Sequence, residues 1–372
     1  MERGEGMYLW DTEGKKYLDF IGGWAVTSLG HSPQAIQDAL SSQAATLINP
    51  SPSFYNIPMI ELAALLTEIS CFDKVFFASS GAEANEGAIK LARKYGSKHL
   101  GGAYEIITTT NSFHGRTITT MAATGKAQWQ QLFAPNTPGF HHVPFNDIEA
   151  CKSTINSNTC AIMLELIQGE GGVHSAEHEY VHELRRICKE TGVLLIIDEI
   201  QTGIGRTGKM FAYEHYGIQA DIMTLGKGIG GGFPLSAMLT TDRLNIFDAG
   251  DQGGTYSGQP LAMAVGLAVV RDMISRDLPL NADHQGCYIN QRLHEIQCKY
   301  QLTNIRGKGL LIAFDLPDAR GSELVARCRG EGLLLNSPHS QTIRLMPPLI
   351  VNKEDVDTML SIVGSVLDSM YV

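Results

Sequence analysis

In Val193-Leu194-Leu195-Ile196-Ile197-Asp198-Glu199-Ile200-Gln201, and again in Asp221-Ile222-Met223-Thr224-Leu225-Gly226-Lys227, a continuous apolar run the length of a buried strand ends at a charged side chain. Strands that are apolar on both faces belong to parallel sheets covered by helices on each side. Ligands of open α/β sheets sit beyond the carboxyl ends of the strands, so a carboxylate (Asp198) and an amine (Lys227) are expected side by side where chemistry takes place.

The flanking sequence supplies further units of the same kind. Val75 to Ala78 reads as a strand, and Ser80 with Glu83 forms a capping box that opens a helix expected to run to about Tyr95 and stop at Gly96. Ile106-Ile107 and Ala161 to Leu164 are further strand candidates. Residues 179 to 190 carry Leu184, Ile187 and Cys188 at helical spacing, and Thr191-Gly192 ends that helix. Strands alternating with helices predict an α/β domain with a mostly parallel sheet flanked by helices. From about residue 260 the pattern changes. A helix over Leu261 to Val270, strands over Gly309 to Phe314 and Thr342 to Leu345, and a closing helix over 353 to 369 predict a smaller α+β domain. The expected division is a large domain over 50–255 and a small one built from 1–49 and 256–372.

The 372 residues, 44% hydrophobic and 18% charged, suffice for two packed cores. A net charge of -10 with no basic run argues against nucleic acid as a partner. The longest apolar stretch, Leu261 to Val270, is far shorter than the roughly 20 residues of a membrane span, and the first residues hold no apolar signal core. A cytoplasmic protein off the membrane is expected. Seven cysteines without a C-x-x-C pair and twelve histidines without metal spacing predict neither disulfide nor metal.

Three stretches resemble phosphate loops. Gly226 to Gly231 fits G-x-G-x-x-G and would suit a nicotinamide-dependent oxidoreductase, but Phe233-Pro234 breaks the helix such a loop should open. Gly203 to Lys209 fits a P-loop except that Met210 replaces the metal-binding hydroxyl. Ser79-Ser80-Gly81-Ala82-Glu83 lies between a strand and a helix, where small residues and the helix dipole can receive a phosphate. Alone it reads as a plain capped helix. Beside Asp198 and Lys227 it completes a set suited to a phosphorylated pyridine aldehyde: an amine for the aldehyde, a carboxylate for the ring nitrogen, a helix start for the phosphate.

Ser80-Gly81-Ala82-Glu83-Ala84-Asn85-Glu86, Ser112-Phe113-His114-Gly115-Arg116-Thr117, Gln168-Gly169-Glu170-Gly171-Gly172, Asp198-Glu199-Ile200-Gln201-Thr202-Gly203, Arg206-Thr207-Gly208-Lys209 and Gly226-Lys227-Gly228 resemble the ordered motifs of class III (ω-amino-acid) aminotransferases. Within that class the chain is most similar to acetylornithine aminotransferases, enzymes of arginine biosynthesis. The resemblance implies the fold type I architecture of pyridoxal 5'-phosphate enzymes and a homodimer with shared active sites. It implies that Lys227 forms the imine with the cofactor and then moves the proton, and that Asp198 pairs with the ring nitrogen. Gln201 would reach the ring hydroxyl and Phe113 would stack on the ring. Ser80, Gly81, Ala82, His114, Glu199 and Ile200 complete the cofactor set, with Thr255 reaching the phosphate from the partner subunit. Arg116 and Arg344 would grip carboxylates, Glu170 would mask Arg344 while an ω-amine is bound, and Gly254 would lie at the acyl group of the donor.

The implied reaction is ping-pong transfer of the ω-amino group of N-acetylornithine to 2-oxoglutarate, giving a semialdehyde and glutamate. The chain departs from the acetylornithine pattern at Leu166, Gln252 and Gly254, where a proline, a histidine and a serine are usual. Loss of the serine hydroxyl leaves 4-aminobutyrate, ornithine, acetyllysine or a diamine as alternative donors. A pyridoxal phosphate enzyme that is not a transaminase would also keep Lys227 and Asp198.

Overall fold

The computed structural model describes residues 1–371. Seven strands form its central sheet: β1 (Lys74–Ala78), β2 (Glu105–Thr109), β3 (Phe140–Val143), β4 (Thr159–Leu164), β5 (Leu194–Asp198), β6 (Ile222–Leu225) and β7 (Ser236–Thr240). Their spatial order is β1-β7-β6-β5-β4-β2-β3. Neighbours from β6 to β3 are parallel, while β7 runs antiparallel to both β6 and β1. Strands β4, β5, β6 and β7 are buried at every residue, as their mostly apolar sequences lead one to expect of a sheet covered on both faces.

Strand β7 is the one reversal in the sheet. Only residues 226–235 separate it from β6, fewer than a parallel crossover with its helix needs, so the chain turns back beside the strand it has just left.

The helix opened by Ser80 runs Gly81–His99, passing Gly96 rather than stopping there. Gly96 serves packing instead: a Cβ at that position would lie 2.0 Å from the carbonyl oxygen of Ala103 and 2.8 Å from Cys160. The helix His178–Thr191 ends as expected, at Gly192 in the left-handed conformation with φ 76°.

Downstream, the helices Pro260–Ser275 and Leu278–Tyr300 lead into an antiparallel sheet of Thr303–Lys308, Leu311–Asp315 and Thr342–Leu345, closed by the helix Lys353–Tyr371. The N-terminal strands Arg3–Glu5, Tyr8–Trp10 and Lys16–Asp19 form a meander, and the last pairs in parallel with Leu333–Leu334. Arg206, in the loop after β5, ties this part to the central sheet. Its Nη1 donates to the carbonyls of Leu310 (3.1 Å) and Pro347 (2.5 Å). The guanidinium is fully buried without a carboxylate, and that burial pushes its pKa down to about 9. Pro347 follows the strand that carries Arg344, so the arginine far along the chain is fixed against the loops of the sheet.

Among the described residues no helix is long and apolar enough to cross a membrane, and no cluster of His, Cys, Asp and Glu could hold a metal.

Candidate active site

Asp198 closes β5, and in the parallel register it stands opposite Thr224 of β6, two residues before Gly226-Lys227. The two strand ends are thus neighbours. The Asp198 carboxylate is buried and held from three sides: Oδ2 accepts from Asn85 Nδ2 and from His114 Nδ1, both at 2.8 Å, and Oδ1 accepts from the Ile200 N–H at 3.0 Å. Asn85 sits one turn into the helix Gly81–His99, and its own Oδ1 accepts from the Thr224 hydroxyl at 2.7 Å. Burial works against a charge on His114, yet the hydrogen bond and charge of Asp198, with Glu165, hold its imidazole above the ordinary value. An anion fixed in this way can keep a ring nitrogen protonated.

Lys227 occupies a left-handed backbone conformation, φ 45°, that a side chain rarely adopts. Burial, helped by the charge of Arg344, pushes its amine down to about 8 against the pull of Glu170, Asp198 and Glu165. At pH 7 roughly a tenth of such amines are neutral, compared with well under a thousandth for an ordinary lysine. Glu165 follows β4 just as Asp198 ends β5. It accepts from the Phe113 N–H at 2.9 Å, and burial, with the charge of Asp198, pushes it up to about 7.

These groups line one cavity of about 280 Å³, with Gly81, Ala82, Phe113, His114, Arg116, Glu165, Glu170, Asp198, Ile200, Gln201 and Lys227 in its walls. Arg344 lies behind Glu170. The guanidinium is fully buried, with Nη1 donating to Glu170 Oε1 at 2.8 Å and to the Gly169 carbonyl at 2.7 Å, and Nε donating to Asn336 Oδ1 at 3.0 Å. Burial would raise the Glu170 carboxyl, but the charge and hydrogen bond of Arg344, then Lys227 and Lys126, hold it below its usual range. Arg116 is exposed at the mouth, its guanidinium 4.7 Å from the centre of the Trp129 ring.

The sequence model of the family "Aminotransferase class-III" matches residues 1–367. The acetylornithine aminotransferase of Ralstonia nicotianae is 50% identical over 371 residues, covering 98% of this chain and 93% of that one, and that of Caldanaerobacter subterraneus is 48% identical over 370 residues, covering 99% and 94%. Among solved structures, the ornithine aminotransferase of Toxoplasma gondii, with partial occupancy of pyridoxal phosphate at its active site, superposes with a TM-score of 0.94 at 31% identity, over 99% of this chain and 90% of that one. The acetylornithine aminotransferase of Elizabethkingia anophelis gives 0.88 at 35% identity, over 99% and 93%. This chain belongs to the class III aminotransferases.

A class III aminotransferase works with pyridoxal phosphate, and the cavity suits that cofactor on independent grounds. Both amide atoms of Gln201 are buried without a partner, as expected of a group reserved for a ligand's hydroxyl. Room for that amide depends on Gly169, where a Cβ would lie 1.5 Å from Gln201 Oε1. At the helix start, Ser80 Oγ caps the Glu83 N–H at 3.3 Å, and the amides of Gly81 and Ala82 are the next donors in line for a phosphate. Phe113 and Ile200 supply the apolar walls.

Not every expected residue faces the cavity. Glu199 turns away from it: its carboxylate accepts from the N–H groups of Ala212 (2.7 Å) and Tyr213 (2.8 Å), anchoring the turn Ala212–His215. The Ser80 side chain is engaged by Glu83. Gly254 lies on an exposed loop outside this cavity and instead lines a second, apolar cavity with Tyr55, Met59 and Phe76; Thr255, expected to serve the partner subunit's phosphate rather than this one, is exposed on the same loop. The stretch Gly226 to Gly231 holds only a single 3-10 turn at Lys227–Ile229 on the way to β7, not the α-helix that a dinucleotide-binding loop opens.

The sequence reading missed Glu165, Asn85, Lys126 and Trp129 as site residues. For Glu165 the signal was available, because it is a carboxylate directly after an apolar run, the same pattern that singled out Asp198.

Proposed function

We propose that this class III aminotransferase moves the ω-amino group of N-acetylornithine to 2-oxoglutarate in two separate half-reactions. One observation carries the reading: one arginine lines the cavity uncovered, while a second lies behind Glu170, which lines the cavity and covers it. Arg344 is paired with Glu170, whereas Arg116 stays open. A donor with a single carboxylate needs one arginine while its ω-amine approaches Lys227, and an acceptor with two needs both. The names of relatives at 50% and 48% identity support the same donor.

Bound pyridoxal phosphate supplies an electron sink for the carbon that loses its proton. The chain supplies the rest. Asp198 would hold a proton on the ring nitrogen, Gln201 would bind the ring hydroxyl, and the Gly81 and Ala82 amides would bind the phosphate. Lys227 Nζ, with a pKa about 8, is basic enough to take a proton from the substrate carbon and acidic enough to return it. Glu170 swings off Arg344 when the dicarboxylate arrives.

The same reading includes a homodimer, in which the exposed Leu47, Ile48, Phe54, Tyr55, Ile57 and Tyr256 meet a second copy and Thr255 from that copy reaches the phosphate. It also includes a large domain over 50–255, a small one from 1–49 and 256–372, and a cytoplasmic location. Gly254 favours a second reading, in which the missing hydroxyl shifts preference to ornithine, acetyllysine, 4-aminobutyrate or a diamine. Following glutamate formation from each of these donors with 2-oxoglutarate decides between them. N-acetylornithine is expected to give the highest kcat/KM, and a diamine in first place would overturn the assignment.

A further inference from the structure

At the mouth of the cavity two cations share one aromatic ring. The guanidinium carbon of Arg116 lies 4.7 Å and the Lys126 ammonium 5.2 Å from the centre of Trp129. Phe113 meets the same indole edge-on, with centroids 5.8 Å apart and planes at 72°, and the two cations lie 6.0 and 5.6 Å from its own ring. The segment is fixed by backbone bonds. The Gly125 N–H donates to Ser112 Oγ at 3.0 Å, the Asn111 N–H to the Gly125 carbonyl at 2.8 Å, and Trp129 closes its turn on the Lys126 carbonyl at 2.9 Å. Lys126 and Trp129 are thus tied to the loop that presents Phe113 to the cofactor.

Two like charges on one indole repel each other, and ring faces compensate only in part. An anion between them would offset the rest. Among the described residues neither Arg116 nor Lys126 has an ion-pair partner, unlike Arg344, whose charge is met by Glu170. The Lys126 charge is nonetheless felt inside the cavity, where it helps hold the Glu170 carboxyl low.

We propose that Lys126 is the second cation of the open carboxylate site, acting with Arg116 on the carboxylate end of the substrate, and that Trp129 is the positioning residue that sets the spacing of the pair. The inference rests on the assignment of carboxylate-bearing substrates made above. It adds a specificity element that discriminates a donor bearing a carboxylate from the same donor without one: Arg116 offers the planar fork and Lys126 a point charge from the other side.

The test compares N-acetylornithine with N-acetylputrescine, its decarboxylated analogue, in the holoenzyme and in Lys126→Met, Lys126→Arg, Trp129→Phe and Trp129→Leu. It also measures inhibition by glutarate. In Lys126→Met, kcat/KM for N-acetylornithine is expected to fall roughly 10-fold more than for the analogue, with KM carrying the change and glutarate inhibition weakening in parallel. Lys126→Arg and Trp129→Phe should retain most of the preference, and Trp129→Leu should lose it. Equal losses for both donors with unchanged glutarate inhibition would overturn the proposal, since a merely structural role moves both alike. If the unmodified enzyme failed to turn over N-acetylornithine, the donor assignment would fall. The glutarate measurement would still decide the role of Lys126.

Discussion

Replacing Glu170 by Gln keeps the shape of the residue over Arg344 and removes its charge. In the native chain Glu170 Oε1 accepts from Arg344 Nη1 at 2.8 Å, with the guanidinium buried and only 28% of the Glu170 side chain exposed. A charge-assisted bond of this kind contributes roughly 1.5–3 kcal/mol, and the neutral amide retains about half of that. The cover over Arg344 is therefore weakened by about 0.8–1.5 kcal/mol, a factor of roughly 4 to 13 in the fraction of enzyme that presents a free Arg344. Substrates that need both arginines gain: glutamate and 2-oxoglutarate should react with a kcat/KM roughly 4- to 13-fold higher. The ω-amine donor, which needs Arg344 covered, gains nothing. Rapid mixing of each half-reaction separately, read from the cofactor's absorbance, measures the ratio. Equal change in both half-reactions would refute the masking role of Glu170. Because the carboxyl lies below its usual range, its contribution is complete above the unfolded value near 4.5 and lost only as pH falls through the lower folded value. The cover is therefore in place throughout the neutral range.

Other consequences can be measured separately. With Lys227 down at about 8, kcat should rise with pH through that value as the amine loses its proton; a profile flat from pH 7 to 9 would exclude Lys227 as the group that moves the proton. The same depression makes burial of Lys227 costly at low pH, and that cost fades as pH rises through about 8 towards 10.5. In the cofactor-free protein Lys227→Met should therefore raise Tm at pH 7 and lose most of that advantage by pH 10, as calorimetry would register. Asn85→Ala strips one donor from Asp198 and leaves the Thr224 hydroxyl unpaired, a loss of about 1–3 kcal/mol that should lower Tm and weaken cofactor retention on dialysis. Gly96→Ala drives a methyl against the Ala103 carbonyl and is expected to destabilise by about 1–3 kcal/mol; an unchanged denaturation midpoint would contradict that packing.

The strand ends of the sheet were legible because β5 and β6 are mostly apolar and each ends at or near a charge. Parallel pairing then had to bring Asp198 beside Lys227. The helix cap at Ser80 was legible from its spacing, and the family motifs extended the reading to Arg116, Glu170 and Arg344. What escaped depended on distance through space. Asn85 and Thr224 act only because the helix start leans over β6, and Lys126 and Trp129 matter only because a turn folds them against Phe113. Gly96 was misjudged because a glycine kept for close packing looks, in sequence, like one that ends a helix. Glu199, adjacent to Asp198 in the chain, faces the other way because alternate residues at a strand end point to opposite sides. The reversal of β7 follows from a connection too short for a helix, a length visible in the sequence only once both strands are placed.

The central claim is that one cavity built around Lys227 carries an amino group from an ω-amine donor to a 2-oxo acid in two separable steps. Holoenzyme incubated with N-acetylornithine, freed of the donor by gel filtration and then given 2-oxoglutarate tests it directly. The account predicts one glutamate per active site in the second step and none from Lys227→Ala; glutamate formed only when both substrates are present together would contradict it.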